Sequence, residues 1–399
     1  MINPSAQGWI SKFLSQQQLS AGSFTDSTDD FYLRLRATGF IYGHSVSLDT
    51  TYPVSTKGWQ YDELSKVALL NALYSIFKIQ RKTLNTEEFI SQLLDFYNQM
   101  NPQGFDLFKR MLPKSSPVLK LEKIIDERIR TNDNFISKNF SHIVTNALLF
   151  VDVLAFQKFL TNGTIPEKYL KKIEEIVLSV ISLALKTKTD KSAHDFLLVK
   201  LFETSVRYTK FSKSVVTTEQ DLNLDYINNS MEKYYLIDLA GMALWSDGQI
   251  ERTEVTFLSS LADKLAISRE FVSQSIIETD KFIIKYRKSL PYFNYSNPIK
   301  HFYDRMTQSV VVLISRNKNR LIKEIRQSGE LMVLLAQSTR RDLNEKEKKK
   351  VRKQLLEICK TIPSLTIFLL PGGSLLLPIL IKFIPQMLPS AFNENISNE

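Results

Sequence analysis

Residues 361–392 read TIPSLTIFLLPGGSLLLPILIKFIPQMLPSAF. The stretch carries one charge, Lys382, and prolines at Pro363, Pro371, Pro378, Pro385 and Pro389. From Ile362 to Ile381 it offers about the ~20 apolar residues with which a helix crosses a ~30 Å hydrocarbon layer. An interior proline removes a backbone donor and clashes with the preceding turn, so one unbroken helix is not expected. The carbonyls freed in lipid would need protein, hydroxyl or water partners. Pro371-Gly372-Gly373-Ser374 reads as a break between two apolar arms, Ser364–Leu370 and Leu375–Ile384. The expectation is a Pro-broken C-terminal membrane segment that either spans the bilayer or re-enters it.

Upstream the composition turns basic. Between Arg316 and Lys353 thirteen Lys or Arg face five Asp or Glu, a local +8 within a net charge of +10. Arg340, Arg341, Lys346, Lys348, Lys349 and Lys350 crowd into this segment. Such a cluster can meet anionic lipid, at about 1 kcal/mol per cation near the surface, or RNA phosphates. The bland alternative is a solvated helix face. The position just before an apolar stretch favours lipid or ribosome. By the positive-inside rule the body stays cytoplasmic, and a re-entrant hairpin keeps both chain ends there.

The rest of the chain reads as helices. Trp9, Ile10, Phe13 and Leu14 share one side of a short amphipathic helix. Leu64, Val67, Leu69, Leu70, Leu73, Ile76 and Phe77 form a broad apolar face. Asn85 or Thr86 caps the helix bearing Phe89, Ile90, Leu93, Leu94 and Tyr97. Val144–Leu160 contains Asp152 and Lys158, and Ile176–Leu185 is half the length of a span, so both are core helices. Pro166 is placed at the start of its helix, where a missing donor costs nothing. The fold class is all-α, a multi-helix body followed by the apolar segment. Its divisions are an N-terminal helical region 1–110, a helical domain 111–290, basic juxtamembrane helices 299–360, the membrane segment 361–392 and a tail 393–399.

Candidate chemistry is sparse. Cys359 is the single cysteine, so no intrachain disulfide forms. His44, His142, His194 and His301 show neither ligand nor nucleophile spacing. No phosphate loop, CxxC pair or nucleophile elbow occurs, so neither an enzyme nor a cofactor is expected. Two calcium-loop frames are incomplete. Asp221, Asn223, Asp225 and Glu232 have suitable spacing, but Tyr226 stands where the loop needs glycine. Asp247, Gly248, Ile250 and Glu254 end a second frame whose first ligand places hold Ala243 and Trp245. The expectation is a helix cap at Asp225, a turn at Asp247-Gly248 and no metal. No signal peptide is visible at the start.

Four stretches carry resemblances. The string with Pro371, Leu375–Pro378, Lys382, Pro385, Leu388, Pro389, Ser390 and Phe392 resembles the membrane segment of the LETM family of leucine-zipper and EF-hand transmembrane proteins. The preceding segment, Gly329 through Arg352, resembles that family's juxtamembrane helices. The opening MINPSAQGWISKF is similar to a bacterial, biofilm-associated branch. Two departures are visible: Ser374 stands where the family has an acidic residue, and the chain stops at Glu399 where the family continues into a ribosome-binding and EF-hand region. Residues 234–282, with Ala243, Asp247, Gly248, Ile250 and Glu254, resemble the tellurite-resistance TerB-like helical domain. The resemblance implies a non-enzymatic adaptor in the bacterial inner membrane that binds ribosomes or membrane-protein assembly machinery. Cation/proton exchange and a TerB-like scaffold in envelope stress or biofilm formation stand as alternatives. The implied partners are membrane lipid and a ribosome or other protein; a homo-oligomer is left open and DNA is not among them.

Overall fold

The computed structural model describes residues 2–18, 27–100, 116–133, 147–188, 218–245, 250–288, 310–338, 341–362 and 377–387, with isolated positions between them. Among these residues every regular element is a helix and no strand occurs.

Two helices are buried nearly all round, and the body is built on them. The first is α3 (Tyr61–Arg81), whose residues from Ser65 to Phe77 are all buried. Around it lie α1 (Trp9–Gln18), α2 (Thr28–Ala37), α4 (Thr86–Met100), α5 (Pro117–Asp133) and α6 (Phe150–Asn162). The second is α8 (Ser230–Leu244), packed against α7 (Tyr169–Thr187), α9 (Arg252–Leu265), α10 (Arg269–Tyr286) and again α2. A helix without a polar face has to be enclosed by others, and Leu236, Ile237, Ala240 and Leu244 meet that demand here. The helices within Val144–Leu160 and Ile176–Leu185 are core helices as expected: α6 and α7 bury Phe150–Gln157 and Ile176–Leu185.

Local signals fix most ends. Ser27 accepts a hydrogen bond from the Asp30 N–H at 3.0 Å, and Ser268 accepts one from Phe271 at 3.2 Å. Asn85, rather than Thr86, caps α4, with its Oδ1 at 3.1 Å from the N–H groups of Glu87 and Glu88. Pro166 precedes α7 instead of starting it: the Tyr169 N–H reaches the Pro166 carbonyl at 3.1 Å, and Lys168 enters the helix with φ 69°. The turn after α2 needs Gly39, whose φ is 80° and whose missing Cβ leaves room for the His44 carbonyl and the Phe282 ring.

Three buried carboxylates tie the body across long sequence separations. Asp238 of α8 accepts from Tyr32 Oη at 2.6 Å, from the Ser275 hydroxyl, and from Arg36 Nη1 at 3.4 Å. Asp152 of α6 takes both arms of Arg128, at 2.8 and 2.7 Å, and the Tyr97 hydroxyl at 3.3 Å. Burial raises both acids above the ordinary carboxylate value, and the arginines pull them back. Glu232 accepts from Tyr169 Oη at 2.6 Å and pairs with Lys158 at 3.2 Å.

The C-terminal helices form a smaller group. It comprises α11 (Lys318–Arg326), α12 (Gly329–Ser338), α13 (Glu345–Thr361) and α14 (Leu377–Met387), with α12 in contact with each of the other three. The expectation of a membrane segment at 361–392 finds no support in the structure, and most of its first arm and its Pro-Gly-Gly-Ser break lie outside the described residues. Among the described residues no helix is long and apolar enough to cross a membrane. The helix found in the second apolar arm, α14, has 11 residues, about half the ~30 Å of a hydrocarbon layer at 1.5 Å per residue. Its apolar side, Leu377, Leu380 and Ile384, is buried, and the helix packs on α12. Pro385 lies inside the helix rather than ending it.

Candidate functional site

The basic cluster lies on and just before α13. Asn344 caps this helix: its Oδ1 accepts from the Glu347 N–H at 2.9 Å, and Glu347 returns the bond to the Asn344 N–H at 2.8 Å. This reciprocal pair satisfies two backbone donors that the first turn leaves open. Arg341 then closes on the same carboxylate with both arms, at 2.8 and 2.7 Å. Those bonds, led by Arg341, hold the Glu347 carboxyl down at about 2. Lys350 reaches across to Glu330 of α12 at 2.5 Å, and Gln354 joins it at 2.9 Å. Lys348 pairs with Glu345 at 3.3 Å, one helical turn back.

Arg341, Lys348 and Lys350 therefore have carboxylate partners, and Arg340 lies outside the described residues. Lys346 and Lys349 are exposed, with no carboxylate partner among the described residues, and so is Lys353. At about 100° of turn per residue the three fall within an arc of roughly 60° and span about 10 Å of helix. Val351, Leu355 and Ile358 occupy the opposite side and are buried. Lys353 is the residue that a search for local charge density misses: it stands three places beyond the cluster, and only the helical repeat returns it to the same stripe. Lys318, Arg320 and Lys323 of α11 are also exposed.

Of the apolar motif, Pro378, Lys382 and Pro385 lie in α14; Pro371, Gly372, Gly373, Ser374, Pro389 and Ser390 lie outside the described residues. Pro378 is the second residue of its helix, where no intrahelical donor is needed. Lys382 projects from α14 with its ammonium 5.6 Å from the Phe383 ring centre.

The calcium frames have other structural duties. Asp221 accepts from the Thr218 N–H at 2.9 Å in a short 3₁₀ turn, and Glu232 completes a capping box with Asn229. The helix cap expected at Asp225 is thus supplied four residues later, by Asn229. Glu254 caps α9 by accepting from the Glu251 N–H at 2.7 Å, while Asp247 and Gly248 lie outside the described residues. Among the described residues no group of three or more His, Cys, Asp or Glu could hold a metal. Burial pushes the Cys359 thiol up to about 12. His44 stacks on Tyr61 with ring centres 4.9 Å apart, and His142, His194 and His301 lie outside the described residues. A cavity of about 260 Å³ opens beside α3 and α5, where Lys66 pairs with Asp126 at 2.5 Å.

Comparison with protein families gives one match: residues 343–399 fit the family described as "LETM1-like, RBD", a ribosome-binding domain. The match begins at Leu343, one residue before the α13 cap, and includes the whole of α13 and α14. It supports the LETM-like resemblance, and it overlaps residues 361–392, for which the sequence pattern suggests a membrane segment. No curated protein and no solved structure matches the chain.

Proposed function

We propose that α11–α14 form a ribosome-contacting module, and that the protein is a non-enzymatic adaptor whose helical body carries or positions it. The observation that carries this reading is the stripe of Lys346, Lys349 and Lys353: three exposed cations on one helix face, without carboxylate partners among the described residues, inside the stretch that fits a ribosome-binding family. Cations held in this way are available to phosphates, whereas Arg341, Lys348 and Lys350 would first have to leave their own carboxylates. We assign α8–α10 the scaffold role suggested by their TerB-like sequence pattern.

RNA is favoured over lipid as the source of phosphate by the burial of α14. Its apolar side is buried within the protein, in a helix that packs on α12, which leaves Lys382 and Gln386 outermost. The test is co-sedimentation of the full chain with purified ribosomes and, separately, with anionic vesicles. Ribosome binding that falls when the three lysines become glutamine supports the reading. Binding to vesicles alone would replace it with a lipid-surface role.

A further inference from the structure

The cavity beside α3 and α5 is lined by no residue of the C-terminal helices, and it holds about 260 Å³. That is room for about eight waters at ~30 Å³ each, just under the ~300 Å³ at which drug-sized ligand pockets begin. Three pieces of chain build it. On α3, Asp62 and Lys66 stand one turn apart. On α5, Leu119, Glu122 and Asp126 recur at three- and four-residue spacing, so they share one face. The third wall is the segment leading into α1, ending at Trp9. The Ser5 hydroxyl ties it down by donating to Glu63 at 2.6 Å, and the Trp59 indole donates to the Ile2 carbonyl at 3.2 Å.

Two buried groups on these walls are only partly matched. Lys66 is 3% exposed, and its ammonium carries three N–H donors. Asp126 lies at 2.5 Å, but Asp62 at 3.9 Å is beyond hydrogen-bond reach. Two of the donors therefore meet no acceptor among the described residues. Glu122 is 7% exposed; one oxygen accepts from the Ile10 N–H at 3.2 Å, and the other meets no donor among the described residues. Buried polar groups left unmatched carry their full desolvation cost, which a ligand with the complementary groups removes.

We propose that the cavity binds a small zwitterion of the amino-acid kind, with a basic side chain preferred. Its carboxylate accepts from Lys66 and its ammonium donates to Glu122, so each group supplies what the wall lacks. Trp9 and Leu119 cover the aliphatic part. Charge selects against other small ions. Asp62, Glu122 and Asp126 outnumber the buried Lys66, while Lys123 stands exposed at the rim. The surplus carboxylate repels phosphate and dicarboxylates and attracts a second cation, which free L-lysine or L-arginine provides. A diamine has that cation but nothing with which to accept from Lys66. The site is independent of the ribosome reading.

The test is calorimetric titration of the full chain with L-lysine, putrescine, glutarate and inorganic phosphate. L-lysine should saturate with a Kd of about 1 mM or tighter, within reach of a ligand of about ten non-hydrogen atoms. The other three each lack one of the charge-assisted bonds and should bind at least about tenfold more weakly. Glu122→Gln keeps an acceptor for the Ile10 N–H but loses the charge, and should weaken L-lysine by a similar factor. Leu119→Trp fills the cavity from a half-buried position and should abolish binding. Circular dichroism shows whether each variant is folded; if Glu122→Gln is not, Leu119→Trp decides. Absence of saturation by L-lysine overturns the proposal. Parental affinity in either folded variant places the ligand elsewhere and overturns it too. Putrescine binding as tightly as L-lysine removes Lys66 from recognition and refutes the zwitterion; glutarate or phosphate doing so refutes the charge argument.

Discussion

Replacing Lys346, Lys349 and Lys353 with glutamine isolates the electrostatic part of partner binding. All three are exposed and have no carboxylate partner among the described residues, so their removal should change stability by less than about 0.5 kcal/mol each. If each neutralises one phosphate, together they contribute about 2 to 3 to the slope of log K against log salt, at ~0.7–0.9 per contact. Over a fourfold rise in salt, from 50 to 200 mM, that slope amounts to roughly a 20- to 40-fold loss of affinity. The triple variant should lack this loss: weaker than the parent at low salt, and converging with it as salt rises. A salt titration of binding to purified ribosomes measures both slopes. Arg341, Lys348 and Lys350, changed in the same way, are the internal comparison; being paired, they should alter the slope less. A triple variant with the parent's slope refutes the assignment of the stripe as the phosphate contact.

Three further outcomes follow from the packing. Leu380→Ala empties a fully buried position in α14 and should cost about 2–5 kcal/mol, read by denaturant unfolding in buffer without lipid or detergent. Arg128→Leu strands the fully buried Asp152 carboxylate and should cost about 3–5 kcal/mol, with much of it regained when Asp152 is also made apolar. The Glu347 carboxyl sits at about 2 in the folded chain against an ordinary 4.5. Its folded value is lowered, so its support for the α13 cap is present above about 4.5 and fades as pH falls towards 2. Circular dichroism or NMR of the first turn of α13 between pH 5 and 2 should show the fading, and Glu347→Gln should remove the pH dependence.

Helix content was legible because apolar residues recur at the helical period in nearly every segment. Leu64 to Phe77 presented a face so broad that only a surrounded helix could use it, and α3 is surrounded. The polar ties were hidden. Asp152 reads in sequence as a reason to reject a membrane span, which it is, but nothing local announces that Arg128 will meet it with two bonds. Asp238 is harder still, since its partners Tyr32 and Arg36 lie about two hundred positions earlier. Hydrophobic periodicity states which side of a helix turns inward; it does not state which polar group waits there.

The apolar stretch shows the same limit from the other direction. Hydropathy measures whether a segment must leave water and is blind to what replaces the water. Leu377, Leu380 and Ile384 would suit lipid, yet the structure buries them within the protein, in a helix that packs on α12. The basic cluster needs the complementary correction. Charge density picked out six cations by their closeness in sequence, but availability depends on pairing. Glu330, Glu345 and Glu347 remove Lys350, Lys348 and Arg341 from easy reach. What is left is set by the helical repeat, which leaves Lys346 and Lys349 and brings in Lys353 from outside the cluster. Net charge of a segment therefore bounds how strongly it can attract phosphate, while the pattern of acids among the bases decides which atoms do so.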